Sequence, residues 1–218
     1  MDRNFISKMQ LQKSKMMANE IDKIFTLSKI VKEAIAKTER ELFVPSGFKN
    51  VAYQLDALPL SSNQWISSPL TVAKMTEALK VDRSVDSVLE IGCGSGYQAA
   101  VLSKIFRRVF TIERIEKLVM ESKQRFKKLN ISNIHLKFDD GQKGWKEFSP
   151  FDRIIFSASI KSVPMQLLEQ LNDGGILVAP VEKGDKQIIT QFKREKNSIL
   201  KYELDSCYFV QTKYGTQK

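Results

Sequence analysis

The sequence predicts an α/β fold: a doubly wound, mostly parallel twisted sheet with helices on both faces, plus an N-terminal helical segment. Three observations carry this. From Ser87 onward short β-branched apolar runs alternate with helical patterns, the signature of parallel strands joined by crossover helices. Val88–Gln98 reads VLEIGCGSGYQ, an apolar run that ends in an acidic residue and breaks into Gly92, Gly94 and Gly96. Glycines so spaced allow a tight turn and close backbone approach before a helix, which makes the sheet Rossmann-like. Val109–Glu113, VFTIE, reads as a second strand whose terminal carboxylate falls 17 residues after Gly96.

The elements follow in order. Residues 1–44 read as helical, because Ile21, Ile24, Phe25, Leu27, Ile30, Val31 and Ile35 recur at mixed three- and four-residue spacing. Pro45-Ser46-Gly47 stops that helix. Asn50–Pro69 lacks periodicity and is dense in Pro, Ser and Asn. Long loops inside compact domains are usually functional, so Leu58–Pro69 is a candidate lid or substrate wall. Leu70–Leu79 resumes a helical pattern. The first 80 residues thus form an N-terminal helical segment with a substrate loop, and residues 81–218 the Rossmann-like core, within a single domain. In that core the strands are Ser87–Ile91, Arg108–Glu113, Ile134–Phe138, Arg153–Ser157 and Gly175–Val181. Between them lie helices Tyr97–Phe106 and Ile115–Leu129, a short turn at Gly144–Phe148, and helix Pro164–Leu171. Gln187–Arg194 and Tyr202–Val210 read as paired strands joined by the polar Glu195–Ser198 turn.

Composition excludes several classes. At 218 residues the chain buries a core without staples. Its two cysteines, Cys93 in the glycine turn and Cys207 far downstream, indicate neither a disulfide framework nor a zinc site, so no metal and a cytoplasmic location are expected. The sole histidine, His135, sits in NIHLKF and reads as a strand-face residue, which argues against Ser-His-Asp or Cys-His catalysis. No run approaches the roughly 18 apolar residues that span a bilayer, and the N-terminus lacks the apolar core of a signal peptide, so a soluble protein with no membrane partner is expected. The formal charge of +10 invites anionic partners. Yet the charge is spread, and its densest patch, KQRFKK at 123–128, fits a solvated helix face, so no specific nucleic acid is expected.

The glycine turn bears on its ligand. A dinucleotide fingerprint has G-x-G-x-x-G, so that a helix N-terminus meets a pyrophosphate, whereas this turn is G-x-G-x-G with Glu90 two residues ahead of it. A carboxylate there repels phosphate. S-adenosylmethionine carries an ammonium and a sulfonium and no phosphate, and suits an acidic strand end. Glu113 can accept bonds from both ribose hydroxyls, and Asp139-Asp140-Gly141 adds a later turn. Ribose recognition alone leaves NAD open.

Seven segments together resemble protein-L-isoaspartate O-methyltransferases: WISSP at 65–69, VLEIGCGSGYQAAVL at 88–102, TIERI at 111–115, DDGQKGW at 139–145, PFDRIIFSAS at 150–159, VPMQLLEQLNDGGILVAPV at 163–181 and YFV at 208–210. The resemblance runs from about Arg40 to Val210. It implies that residues 81–218 are the methyltransferase core, S-adenosylmethionine the cofactor, S-adenosylhomocysteine the product, and isoaspartyl-containing peptides and unfolded or aged proteins the substrates. The methyl ester formed on an isoaspartyl residue cyclises to a succinimide that can reopen to aspartate, which is protein repair. By the same resemblance Ser67 is the active-site serine, next to both cofactor and peptide. Glu90, Gly92, Cys93, Gly94, Gly96 and Gln98 match the methionine-end turn and helix, Glu113 the ribose carboxylate, and Asp140 with Gly141 the adenine-side turn. Trp65, Ile66, Ser67, Ser159, Tyr208 and Val210 match the peptide side.

The chain also departs from the family pattern. Asp139 replaces a glycine, Trp65 a threonine, Leu70 an aromatic or histidine, and Gln211-Thr212 a Pro-Leu pair. A carboxylate whose ordinary pKa is about 3.9 is ionised at neutral pH, so the reaction needs no general base, and Ser67 is an orienting donor rather than a nucleophile. Its other reading is a cap on the helix starting near Pro69, since Ser-x-Pro is a good helix entry. Trp65 either belongs to the core or lines the peptide groove. Two other functions compete: a methyltransferase of this fold acting on nucleic acid or a small molecule, and a non-catalytic peptide-binding relative. Against the first stands Ser157-Ala158-Ser159, which lacks the Asn/Asp-Pro-Pro-aromatic element of base amino methylation. Against the second stand the three acids Glu90, Glu113 and Asp140.

Overall fold

The computed structural model describes residues 3–218, with side chains from residue 9 onward. The N-terminal segment forms α1 (Arg3–Ile24) and α2 (Lys29–Ala36). α1 turns Ser14, Met17, Ala18 and Ile21 inward, the spacing of a single helix face. The sequence reads residues 1–44 as helical throughout, and the structure breaks that helix at Phe25–Ser28; Met1 and Asp2 lie outside the described residues. At the break Asp22 accepts the Leu27 amide at 2.9 Å, while the Ser28 amide and hydroxyl both donate to Glu77 Oε2 at 3.0 Å. Ser28 also caps α2. A cap tied to a distant carboxylate outweighs the small propensity for the helix to continue.

The region that lacks periodicity folds into an antiparallel hairpin of β1 (Leu58–Leu60) and β2 (Gln64–Ile66). Then comes α3 (Pro69–Ala78), whose N-cap is Ser68, accepting the Thr71 amide at 3.1 Å. The capping alternative for Ser67 therefore falls to its neighbour.

The sheet is built from β3 (Ser87–Ile91), β4 (Arg108–Glu113), β5 (Ile134–Phe138), β6 (Phe151–Phe156), β7 (Leu171–Lys183), β8 (Lys186–Glu195) and β9 (Ser198–Cys207). Its helices are α4 (Tyr97–Leu102), α5 (Glu116–Lys128) and α6 (Met165–Leu168). Among the described residues the seven strands run in the order β5-β4-β3-β6-β7-β8-β9. β5 through β7 pair in parallel, and β8 and β9 add an antiparallel hairpin. The chain moves outward from β3 to β4 and β5, then returns to β6 on the other side of β3. Loops diverge at that switch point, which is where an open α/β sheet presents a cleft.

Strand alternation supplies both faces. Val88 joins a buried cluster with Met17, Ile21, Val31, Val72 and Ala99, so the N-terminal helices share one core with the sheet. Leu89 and Ile91 point to the opposite cluster with Phe110, Leu167 and Leu168. Asp152 aligns three strand starts by accepting the Asp86 and Ser87 amides at 2.9 Å and Asn172 Nδ2 at 2.7 Å.

Several boundaries differ from the sequence expectation for local reasons. α4 stops at Leu102 rather than Phe106, because the next turn tightens as the Ile105 amide donates to the Leu102 carbonyl at 2.9 Å. α6 is short because Leu171 already enters β7 opposite Phe151. β9 ends at Cys207 rather than Val210, since the Phe209 amide turns to Gln187 Oε1 at 2.6 Å. His135 stacks on Phe110, ring centroids 5.0 Å apart, as a strand-face residue. In KQRFKK only Phe126 is buried, while Lys123, Lys127 and Lys128 are exposed. No helix among the described residues is long and apolar enough to cross a membrane.

Gly96 tests the packing of this turn. Its φ is +86°, and a Cβ there would meet the Phe126 ring at 2.7 Å. Gly96→Ala is expected to cost about 2–4 kcal/mol, combining left-handed strain with overpacking. Urea unfolding measures the cost, and a midpoint equal to that of the parent chain would contradict this packing.

Candidate active site

A cleft opens at the C-terminal ends of β3, β4 and β6. Its floor is the glycine turn. The Gly92 and Cys93 amides donate to the Ile112 carbonyl at 2.9 and 3.3 Å, and the Gly94 amide to Glu113 Oε2 at 2.8 Å. The other Glu113 oxygen accepts the Ile115 amide at 2.8 Å, so one carboxylate bridges the turn and the entry to α5. Burial holds this carboxyl above its usual range, and the amide bonds pull it part of the way back.

Glu90 lies beneath the turn, fully buried on β3. Thr111 Oγ1 donates to it at 2.6 Å and Ser157 Oγ at 3.1 Å. Burial pushes its carboxyl up to about 8, against the two hydroxyl bonds and with Glu113 adding to the rise. Burial therefore favours the neutral acid, which weakens the phosphate repulsion expected from the sequence. Burial likewise raises the Cys93 thiol, which leaves it a packed wall residue.

The later turn is set by Asp140, whose Oδ1 accepts the Gln142 amide at 3.1 Å. Gly141 is required by close approach, since a Cβ there would sit 2.6 Å from Ile91 Cγ2. Asp139 points its carboxylate to Lys137 at 2.8 Å.

The hairpin forms the opposite wall. Leu60 packs on Ile115 and Leu118, and Ser61 Oγ reaches Glu121 Oε1 at 3.4 Å. Those contacts bring Trp65, Ile66 and Ser67 over the floor. Trp65 is 54% exposed on the cleft wall, which settles its two sequence readings against the core. The Ser67 hydroxyl has no protein hydrogen-bond partner among the described residues.

The structure thus gathers Trp65, Ile66, Ser67, Glu90, Gly92, Cys93, Gly94, Gln98, Glu113, Asp140, Gly141 and Val210 around one cleft. Three other expected residues lie outside its lining. Gly96 packs behind the turn on Phe126, and Tyr208 is 88% exposed to solvent. Ser159 is buried, with its hydroxyl on Glu182 Oε1 at 3.1 Å and its amide on the Val210 carbonyl at 2.8 Å, so it anchors the tail.

Sequence reasoning missed three features. Gln142 Nε2 is a buried donor with no partner, on a residue of the cleft wall. Arg40 is fully buried with its guanidinium 4.7 Å from the ring centre of Tyr97, another wall residue. The C-terminal residues form a strap across the cleft mouth: the Gly215 amide donates to Asp140 Oδ2 at 2.9 Å, and the Gln217 amide to the Arg114 carbonyl at 2.7 Å. Arg114 Nε closes the loop on the Gly215 carbonyl at 2.8 Å. Backbone bonds of this kind leave no side-chain periodicity to read.

A family model described as protein-L-isoaspartate(D-aspartate) O-methyltransferase matches residues 11–217. The chain belongs to this family. The match extends beyond the Arg40–Val210 resemblance and takes in most of α1 and the strap. A protein-L-isoaspartate O-methyltransferase of Helicobacter pylori (strain J99) is 53% identical over 206 residues, covering 94% of this chain and 98% of the relative. That of Maricaulis maris (strain MCS10) is 47% identical over 177 residues, 81% of this chain and 83% of the relative. Among solved structures, a protein-L-isoaspartate O-methyltransferase superposes with a TM-score of 0.85 at 25% identity over 92% of this chain and 66% of that one. A Plasmodium falciparum structure, titled as a putative member in complex with S-adenosyl-L-homocysteine, shares the fold with a TM-score of 0.81 at 22% identity, covering 92% of this chain and 98% of that one. Within the protein-L-isoaspartate O-methyltransferase fold of this chain, the Glu113 bridge is open to direct test. Glu113→Gln keeps one acceptor oxygen and sets an amide NH₂ against a backbone N–H, so a loss of about 1–3 kcal/mol in urea unfolding is expected. An unchanged unfolding midpoint would dissolve the bridge.

Proposed function

We propose that this protein transfers the methyl group of S-adenosylmethionine to the side-chain-derived carboxylate of L-isoaspartyl residues in damaged proteins, which starts their repair. The carrying observation is the family match across residues 11–217, falling on a cleft whose floor holds the buried acids Glu90 and Glu113, the first with no ion pair among the described residues. The residues fit the cofactor. Glu90 suits an ammonium, Glu113 keeps a second lone pair on each oxygen for ribose hydroxyls, and the orphaned Gln142 Nε2 offers a donor on the adenine side. S-adenosylmethionine, when bound, supplies the electrophilic methyl on its sulfonium.

The protein's own task is positioning. An isoaspartyl carboxylate is already ionised near pH 7, so the site needs no base and His135 is free to pack on Phe110. Ser67, with its free hydroxyl on the cleft wall, donates to the substrate carboxylate and orients it. Trp65, Ile66 and Val210 line the peptide side and exclude water, and such alignment can lower a barrier by roughly 7–11 kcal/mol.

Methyl transfer from labelled S-adenosylmethionine to a peptide pair differing only in aspartyl or isoaspartyl linkage tests the activity. Label on the isoaspartyl peptide alone is expected; equal label, or none, would defeat the assignment. In the same assay Ser67→Ala should lower turnover with cofactor affinity nearly unchanged, and a methylated or acylated Ser67 in the mass spectrum would defeat the orienting role.

Trp65 tests the peptide wall. As an exposed residue, its replacement in Trp65→Thr should change stability by no more than about 0.5 kcal/mol. The indole favours an apolar or aromatic residue beside the isoaspartate, so the variant should level the specificity constants across peptides varied at that position. An unchanged ranking would remove Trp65 from recognition.

A further inference from the structure

Glu90 is a fully buried carboxyl whose environment is built for two protonation states. Every element packed around it can be named. β4 contributes the Thr111 hydroxyl and, at its end, the Glu113 carboxylate. The residue after β6 contributes the Ser157 hydroxyl, the glycine turn the Cys93 thiol, and α4 the Tyr97 phenol on the same wall. Among the described residues no Lys or Arg forms an ion pair with Glu90. The buried Arg40 guanidinium stacks on the Tyr97 ring at 4.7 Å, and Arg114 and Lys213 line the same cleft.

A buried carboxylate with only two hydroxyl donors and a second acid nearby is poorly compensated, so the protein favours its neutral form. The direction agrees with geometry, since burial lifts this carboxyl to about 8. A cation delivered to the cleft reverses the balance. Both hydroxyls can rotate, so they hydrogen-bond either form, the carboxylate more strongly, which readies the site for the ionised state.

We propose that Glu90 exchanges its proton for the ammonium of the cofactor: as that ammonium takes its place beside the carboxyl, the O–H bond of Glu90 breaks and one proton leaves for solvent. This rests on the function proposed above and adds its regulation. Cofactor capture becomes an ion exchange of constant net charge, and the site's affinity follows the surrounding pH. Because the product S-adenosylhomocysteine keeps the same ammonium, it carries the same linkage, and alkaline shifts strengthen product retention along with cofactor capture. Acidic shifts release both.

The sign follows from linkage. A group that loses its proton on binding makes affinity rise with pH below its free value, by about tenfold per pH unit for one proton. Titration calorimetry of the full chain at pH 6.0, 6.5 and 7.0 measures this, in buffers of different ionisation enthalpy. The probes are S-adenosylmethionine, S-adenosylhomocysteine, and 5′-methylthioadenosine, which lacks the amino-acid end. In this range the ammonium keeps its own proton.

One proton released per cofactor or product molecule is expected, with affinity rising about tenfold per pH unit. For 5′-methylthioadenosine no release and a flat profile are expected. Glu90→Gln should bind the cofactor without proton release and without pH dependence. Binding without proton release by the parent chain, or equal release from Glu90→Gln or with 5′-methylthioadenosine, overturns the exchange and leaves the methyltransferase function standing. Failure of both S-adenosylmethionine and S-adenosylhomocysteine to bind overturns the function, and the exchange with it.

Discussion

The cleft depends on one constraint: the Glu113 carboxylate must satisfy two backbone amides that face it from different elements. Gly94 lies in the turn after β3, and Ile115 begins the approach to α5. A turn with left-handed glycines at 92, 94 and 96 spends most of its hydrogen-bonding groups outside any regular ladder. The Ile112 carbonyl takes two of them and Glu113 a third; Ser122 then donates to the Gly94 carbonyl at 2.9 Å. Without the Glu113 acceptor the Gly94 amide would be orphaned against α5. The floor, the start of α5 and the hairpin that rests on Leu118 therefore stand or fall together.

The same acids give the molecule two electrostatic scales. Its formal charge is +10, and Lys123, Lys127 and Lys128 face solvent, so a peptide bearing carboxylates meets a favourable field at long range. Inside the cleft the balance reverses, because Glu90, Glu113 and Asp140 outnumber Arg114 and Lys213, and among the described residues none forms an ion pair with Glu90. An anionic substrate and a cationic cofactor thus have opposite preferences within one site. Burial keeps them compatible, since a protonated Glu90 does not repel a substrate carboxylate, and an ionised one is balanced by what ionised it.

What could be read from the sequence was what local chemistry dictates. Gly92, Gly94 and Gly96 need their φ values whatever surrounds them, and the strands announce themselves by alternation or by apolar runs. Glu90, Glu113 and Asp140 were legible because strand ends of a parallel sheet converge. The misses were tertiary. The helix break at Ser28 follows from Glu77, far along the chain, and the shortened β9 from Gln187. Ser68 rather than Ser67 caps α3, a choice between adjacent serines that only geometry makes. The strap from Gln211 to Gln217 is held mainly by backbone amides and carbonyls, which no side-chain pattern records.

Floor and walls differ in how they are held. The floor bonds are buried, so a change there is felt in folding; Gly141, where a Cβ would stand 2.6 Å from Ile91, admits no side chain without movement. The walls rest on fewer and more accessible contacts, such as Ser61 with Glu121 at 3.4 Å and Arg114 with Gln217 at 3.3 Å. Local opening costs less where bonds are exposed and packing is thin. Trp65, Leu70, Gln211 and Thr212 all belong to the walls or their supports, and Asp139 turns its carboxylate outward to Lys137. Substitution at such positions leaves the buried bonds of the glycine turn in place. The division between a fixed floor and adjustable walls is thus a consequence of which hydrogen bonds are buried.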